Sequence, residues 1–219
     1  MNINKNMGFA TRQIHAGKDK NSAGALCTPI YQTSTFEFDS VEQGGARFAG
    51  QEEGYIYSRL GNPTVARVEA ILAELENGEA ALCTASGMGA ITSAIWSAVE
   101  AGDEIVASDT LYGCTYALLS HGITKFGVNV NFIDMADLDA LKAALNEKTK
   151  VVYLETPCNP TLKVIDIAEV SRIAHEYNPG IRVIVDNTFA TPYLQRPLDL
   201  GADTVVHSAT KYLNGHGDV

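Results

Sequence analysis

From Asn62 to Thr210 the sequence alternates between short apolar runs and segments of helical periodicity, and few architectures accept that pattern. "NPTVARVEAILAELENG" predicts a helix with Asn62 as N-cap, Pro63 at its first position and Gly78 as its stop. "AALCTA" (Ala80 to Ala85) reads as a buried strand, and "SGMGAITSAIWSAVEAG" as a helix ended by Gly102. "DEIVASD" and "VNVNFID" read as strands on either side of the mostly helical "TLYGCTYALLSHGITKFG". A short helix capped by Asp137, "DLDALKAALNEKT", precedes the strand "KVVYLETP". Helix "DIAEVSRIAHEYNPG" then leads to the strands "IRVIVDNTF" and "GADTVVHSAT". Runs this apolar belong to strands covered on both faces. The expected fold is therefore α/β, a mostly parallel sheet flanked by helices.

Residues 1–61 have a different texture. "TPIYQTSTFEF" alternates enough for one short strand, but glycines and the polar "FAGQEEGYIYSRLGNP" surround it. The expected organisation is an extended N-terminal arm over 1–61 and a large domain over 62–219.

Composition narrows the function classes. A 219-residue chain that is 46% hydrophobic can bury one substantial core. Its net charge of −10, with 16 Lys and Arg against 26 Asp and Glu, argues against nucleic acid or an anionic membrane as partner. Cys27, Cys83, Cys114 and Cys158 are scattered, without a CxxC pair or Cys/His cluster, so no metal site or disulfide framework is expected. The start "MNINKNMGFATRQIHAG" lacks the apolar core of a secretory signal, which makes the cytoplasm the expected compartment.

Ligands of such sheets gather beyond the carboxyl ends of the strands. After "AALCTA", Ser86, Gly87 and Met88 open a helix whose free N–H groups suit a phosphate, although a close-packing turn would also use small residues there. Gly87 to Thr92 reads G-x-G-x-x-T; without the third glycine it speaks against a nicotinamide dehydrogenase, and no Walker lysine follows. Tyr112 stands at the sheet mouth, where it could stack on a planar ligand or merely lie on the surface. Asn159 sits in the polar turn "ETPCNPT". Asp186 ends a strongly apolar run and so needs a cation or a capping role. Lys211 follows the last strand, with Ser208 and Thr210 just before it; a lysine at a buried strand end is costly unless paired or used chemically. Taken one by one these positions have ordinary explanations. Together, an anion cradle, an aromatic plate, a buried carboxylate, two hydroxyls and a lysine form the set that pyridoxal 5'-phosphate requires.

At "YSRLGNPT", "ASGMGAI", "LYGCTY", "ETPCNPT", "VDNTFATPYLQRPLDLGAD" and "HSATKYLNGHGDV" the chain resembles the Cys/Met-metabolism family of pyridoxal-phosphate enzymes, from about Gly8 to Val219. The resemblance implies the large domain of that family, with Lys211 as the cofactor lysine and proton carrier and Asp186 as partner of the pyridinium nitrogen. Ser86, Gly87, Met88, Ser208 and Thr210 would hold the phosphate, and Asn159 the phenolic oxygen. Tyr112 would stack on the ring and protonate the departing γ-thiolate. Tyr57 and Arg59, in the arm, would reach the phosphate in a neighbouring subunit of a homotetramer built from dimers with shared sites. Cys114 stands where the family's synthases and cystathionine lyases usually carry glycine, so the resemblance is closest to the methionine γ-lyase branch, with Cys114 shaping the substrate pocket. That implies α,γ-elimination of L-methionine to methanethiol, 2-oxobutanoate and ammonia. Cystathionine γ-lyase, cystathionine γ-synthase and O-acylhomoserine sulfhydrylase activity are the alternatives within the family, and a non-catalytic module the alternative outside it. The family also has a smaller C-terminal domain carrying an arginine for the substrate carboxylate. No residue here corresponds to it, so the chain is expected to be one piece of a longer polypeptide, poorly soluble and inactive alone.

Overall fold

The computed structural model describes residues 7–17, 21 and 23–219. Two compact units divide between Cys83 and Thr84. The first holds α1 (Phe9–His15), α2 (Val41–Phe48) and α3 (Pro63–Glu76). Asn62 caps α3 by accepting from the Thr64 N–H, and its amide also donates to Tyr31 O and Ser58 Oγ, each at 2.9 Å. The helix ends one residue before the expected glycine: Asn77 takes the left-handed conformation at φ 57°, which asparagine tolerates well. Buried Arg12 of α1 donates to Glu74 Oε1 and Asn77 Oδ1 at 2.8 and 2.7 Å, fastening α1 to the end of α3.

The expected strand in "TPIYQTSTFEF" shrinks to one antiparallel bridge between Thr35 and Tyr57. Beyond it, the Phe36 and Ser58 N–H groups donate to Ile56 and Ser34 carbonyls, but among the described residues no ladder extends further. The expected strand Ala80–Ala85 does not form either, and Leu82 at its centre is 78% exposed. An apolar run supplies a reason to be buried; a strand also needs a ladder partner, and among the described residues none pairs with this one.

The second unit continues with α4 (Gly87–Trp96), β1 (Glu104–Ser108), α5 (Gly113–Ala117), β2 (Asn129–Ile133), α6 (Leu138–Ala144), β3 (Thr149–Glu155), α7 (Ile167–Tyr177), β4 (Arg182–Asp186), α8 (Thr191–Leu194) and β5 (Thr204–Val206). α4 stops at Trp96, short of the expected Gly102. The predicted helix after β1 is a chain of short pieces, with a π turn (Leu118–Gly122) and a 3-10 turn (Ile123–Phe126) following α5.

The five strands of this sheet pair in parallel, in the order β2-β1-β3-β4-β5. Because side chains alternate along a strand, neighbouring residues fill opposite cores. Val106, Val152, Leu154, Val183 and Val185 pack with Leu141 of α6 and Ile167, Val170 and Ile173 of α7. Ile105, Ala107, Val151, Tyr153, Ile184 and Val206 pack on the other face with Ile91 and Ile95 of α4. Each large side chain so buried contributes about 1.5–3 kcal/mol. β1 lies between β2 and β3, so the chain winds outward in opposite directions from β1 and β3. The crevice beyond their carboxyl ends is the switch point where open α/β sheets place ligands.

Candidate active site

With the five strands parallel, the loops after β1, β3, β4 and β5 leave the sheet along one edge; those after β1, β3 and β5 carry Tyr112 and Cys114, Asn159, and Ser208 to Lys211, and Asp186 ends β4 at the same edge. Asp186 is the last residue of β4 and 6% exposed. Burial, above all, raises its carboxyl above the ordinary value; contacts with Thr188, the nearby His207 and Tyr153 counteract this. Its Oδ1 accepts the Thr188 N–H at 3.0 Å, and no salt bridge reaches it among the described residues. The Thr188 hydroxyl in turn accepts the Ser208 N–H at 2.9 Å, tying the loop after β4 to the loop after β5.

Ser86 caps α4, its hydroxyl accepting the Gly89 N–H at 3.0 Å. This leaves the amides of Gly87 and Met88, at the positive end of the helix dipole, without intrahelical partners. Gly87 lies against the loop after β5: a Cβ there would stand 2.8 Å from Ser208 Cβ and 3.1 Å from both Ser208 Cα and Oγ. Only a glycine lets the helix start come this close to Ser208. Gly87→Ala should therefore push α4 away from the loop, costing about 1–3 kcal/mol in urea unfolding and weakening any anion held there. An unchanged midpoint would mean the approach is not required. Met88 packs on the α4 side of the sheet, and its sulfur accepts from Thr115 Oγ1 at 3.8 Å.

Tyr112, 44% exposed, precedes α5. Its hydroxyl accepts from the Cys114 thiol at 3.4 Å, and this contact with Cys114, more than anything else, raises the phenol above its ordinary value. Cys114 itself is exposed. The Tyr112 N–H donates to Glu155 Oε2 at 2.7 Å, and the Asn159 N–H to Glu155 Oε1 at 3.1 Å. Glu155, at the end of β3, is 2% exposed and is paired in register with Asp186 on β4.

Lys211 follows β5 by one turn and is exposed, the surface position that a lysine after a strand ordinarily takes, not a buried strand end. β5 stops at Val206, and Lys211 lies in the turn that follows. Lys211 and Thr210 line a cavity of about 240 Å³ with Phe189, Tyr212, Gly215 and Gly217. No hydrogen bond among the described residues joins the side chains of Tyr112 or Asn159 to Asp186 or Lys211. Tyr57 and Arg59 belong to the first unit, where the Arg59 guanidinium lies 5.4 Å from the Tyr57 ring centroid.

The model of one enzyme family, "Cys/Met metabolism PLP-dependent enzyme", matches residues 10–219. The chain belongs to this family. Over 213 residues, 97% of the chain, it is 67% identical to an L-methionine gamma-lyase of Treponema denticola, covering 53% of that protein. Over 215 residues it is 60% identical to an L-methionine gamma-lyase of Fusobacterium nucleatum, with 98% of this chain and 54% of the relative covered. Among solved structures, a putative O-acetylhomoserine (thiol)-lyase of Campylobacter jejuni containing N'-pyridoxyl-lysine-5'-monophosphate superposes with a TM-score of 0.92 at 36% identity. That match covers 98% of this chain and 52% of the other. The chain thus spans about half the length of the relatives it matches.

The residues present fit the cofactor of the Cys/Met-metabolism family. A glycine-only approach beside free helix amides and hydroxyls suits a phosphate ester, and a buried carboxylate lacking a salt bridge suits a protonated ring nitrogen. Sequence reasoning passed over Glu155 and Thr188. The signal for Glu155 was the one used for Asp186, a carboxylate ending an apolar strand ("KVVYLE" beside "IRVIVD"). Thr188 had no such signal, because its role depends on a loop 20 residues away.

Proposed function

We propose that this chain is the cofactor-binding part of a lyase that cleaves L-methionine by α,γ-elimination, yielding with water methanethiol, 2-oxobutanoate and ammonia. The observation that carries this reading is the 67% identity with an L-methionine gamma-lyase, together with the Cys114 thiol at the Tyr112 hydroxyl. When bound, pyridoxal phosphate supplies an electron sink for carbanions formed beside the substrate amine. Lys211 would hold its aldehyde and carry protons between Cα and Cβ of the substrate. Asp186 would keep the ring nitrogen protonated. Ser86, Gly87, Met88, Ser208 and Thr210 would bind the phosphate, and Asn159 the phenolic oxygen.

Tyr112 would stack on the ring and give its proton to the leaving thiolate. A phenol is protonated at neutral pH and so has a proton to give. Cys114 would shape the thiol end of the pocket. The arm over residues 1–61 would bring Tyr57 and Arg59 to the phosphate of a neighbouring subunit, whose own domain spans 62–219, in a homotetramer. Arginine suits that contact because it binds phosphate through two parallel hydrogen bonds. The substrate would be a small sulfur amino acid and the compartment the cytoplasm; no helix among the described residues is long and apolar enough to cross a membrane.

The test is an assay of the full-length protein for methanethiol from methionine against formation of a thiol or thioether from an activated homoserine supplied with sulfide or cysteine. Methanethiol and 2-oxobutanoate in equal amounts are expected. Product only from the activated homoserine would move the protein to the synthase or sulfhydrylase branch.

A further inference from the structure

Glu155 is a buried carboxylate for which the reaction as proposed has no use. It ends β3 at the switch point of the sheet, and its two oxygens are divided between two loops: Oε2 accepts the Tyr112 N–H at 2.7 Å and Oε1 the Asn159 N–H at 3.1 Å. These are the loops after β1 and β3, which flank the crevice. The donors are backbone groups, so what Glu155 holds is the course of each loop. The side chains of Tyr112 and Asn159 take no part in these two bonds.

Taking a carboxylate out of water here is costly, and burial raises the group above the ordinary carboxylate range; the negative Asp186 beside it acts in the same direction, while the two N–H donors oppose both. A glutamine would fill the same volume without a charge. However, a glutamine amide has one acceptor oxygen and one donor nitrogen, and each loop presents an N–H. Only a carboxylate accepts from both.

We infer that Glu155 is a positioning residue, a two-pronged acceptor that sets the distance between the loops of Tyr112 and Asn159 and thereby the width of the cofactor slot. The inference rests on the proposed cofactor reading only for what the slot holds.

Two measurements on full-length E155Q, with E155D as second variant, separate the possibilities. The first is amide hydrogen exchange without cofactor, comparing peptides that span 109–117 and 156–163 with peptides from β3 and β4. The expected result is faster exchange in one or both loops and unchanged protection in the strands. The second is titration with pyridoxal phosphate, where about tenfold weaker binding is expected, with kcat reduced by a similar factor and KM nearly unchanged. E155D, one methylene shorter, should fail in the same two loops. Wild-type exchange and wild-type cofactor affinity in both variants would overturn the inference. So would a uniform loss of protection across β3 and β4, which would make Glu155 a support of the whole sheet. Failure of the unaltered protein to bind pyridoxal phosphate would instead defeat the cofactor reading, and the exchange experiment would still decide the role of Glu155.

Discussion

Lys211→Ala is expected to lower kcat by about 10³-fold or more and to abolish the visible absorption of covalently held cofactor. The substitution is unusually clean. Lys211 is exposed, and its ammonium makes no hydrogen bond or ion pair among the described residues, so stability should change by no more than about 0.5 kcal/mol. Loss of activity with an unchanged urea midpoint would therefore report chemistry. Lys211→Arg provides the control: it keeps the positive charge but has no amine that can bond an aldehyde carbon, so it should be as inactive as alanine. If either variant turns methionine over at the original rate, another group carries the proton and the assignment of Lys211 fails.

Asp186→Asn should split stability from binding. The amide keeps an oxygen for the Thr188 N–H, which Asp186 Oδ1 now accepts at 3.0 Å, and it removes a charge from a site only 6% exposed. Without cofactor, the variant should be at least as stable as the original, since burial is what chiefly raises this carboxyl and the asparagine escapes that cost. With cofactor the order reverses. A charge-assisted hydrogen bond to a protonated ring nitrogen contributes about 1.5–3 kcal/mol, so affinity should fall roughly 10- to 100-fold. Urea unfolding of the cofactor-free protein and a cofactor titration read the two effects separately. Equal affinity would mean that Asp186 does not face the ring nitrogen and is buried for the sake of the Thr188 turn.

The elements that were legible in the sequence carry their cause within a few residues. Asn62 and Asp137 accept from N–H groups two or three positions ahead, as their place before helical runs suggested. β1, β2 and β4 fall within the runs assigned to them, and β3 starts one residue earlier, at Thr149, because the central residues of β1, β3 and β4 alternate between two cores and are apolar. Ala80 to Ala85 looked the same and formed no strand, since pairing depends on a partner that the run itself does not encode. An apolar strand before Lys211 leaves both a buried and a surface lysine open, and the turn after β5 decides for the surface.

The sequence by itself determined the α/β class and the candidate groups, because spacing along the backbone decides which side chains share a face and which residue types can accept, donate or bond. The tertiary structure alone decided which of those groups meet. Gly87 against Ser208 and Glu155 against Tyr112 are contacts between segments far apart in the chain. Only the parallel order of the strands, which aligns their carboxyl ends along one edge, brings such segments within hydrogen-bonding or van der Waals distance.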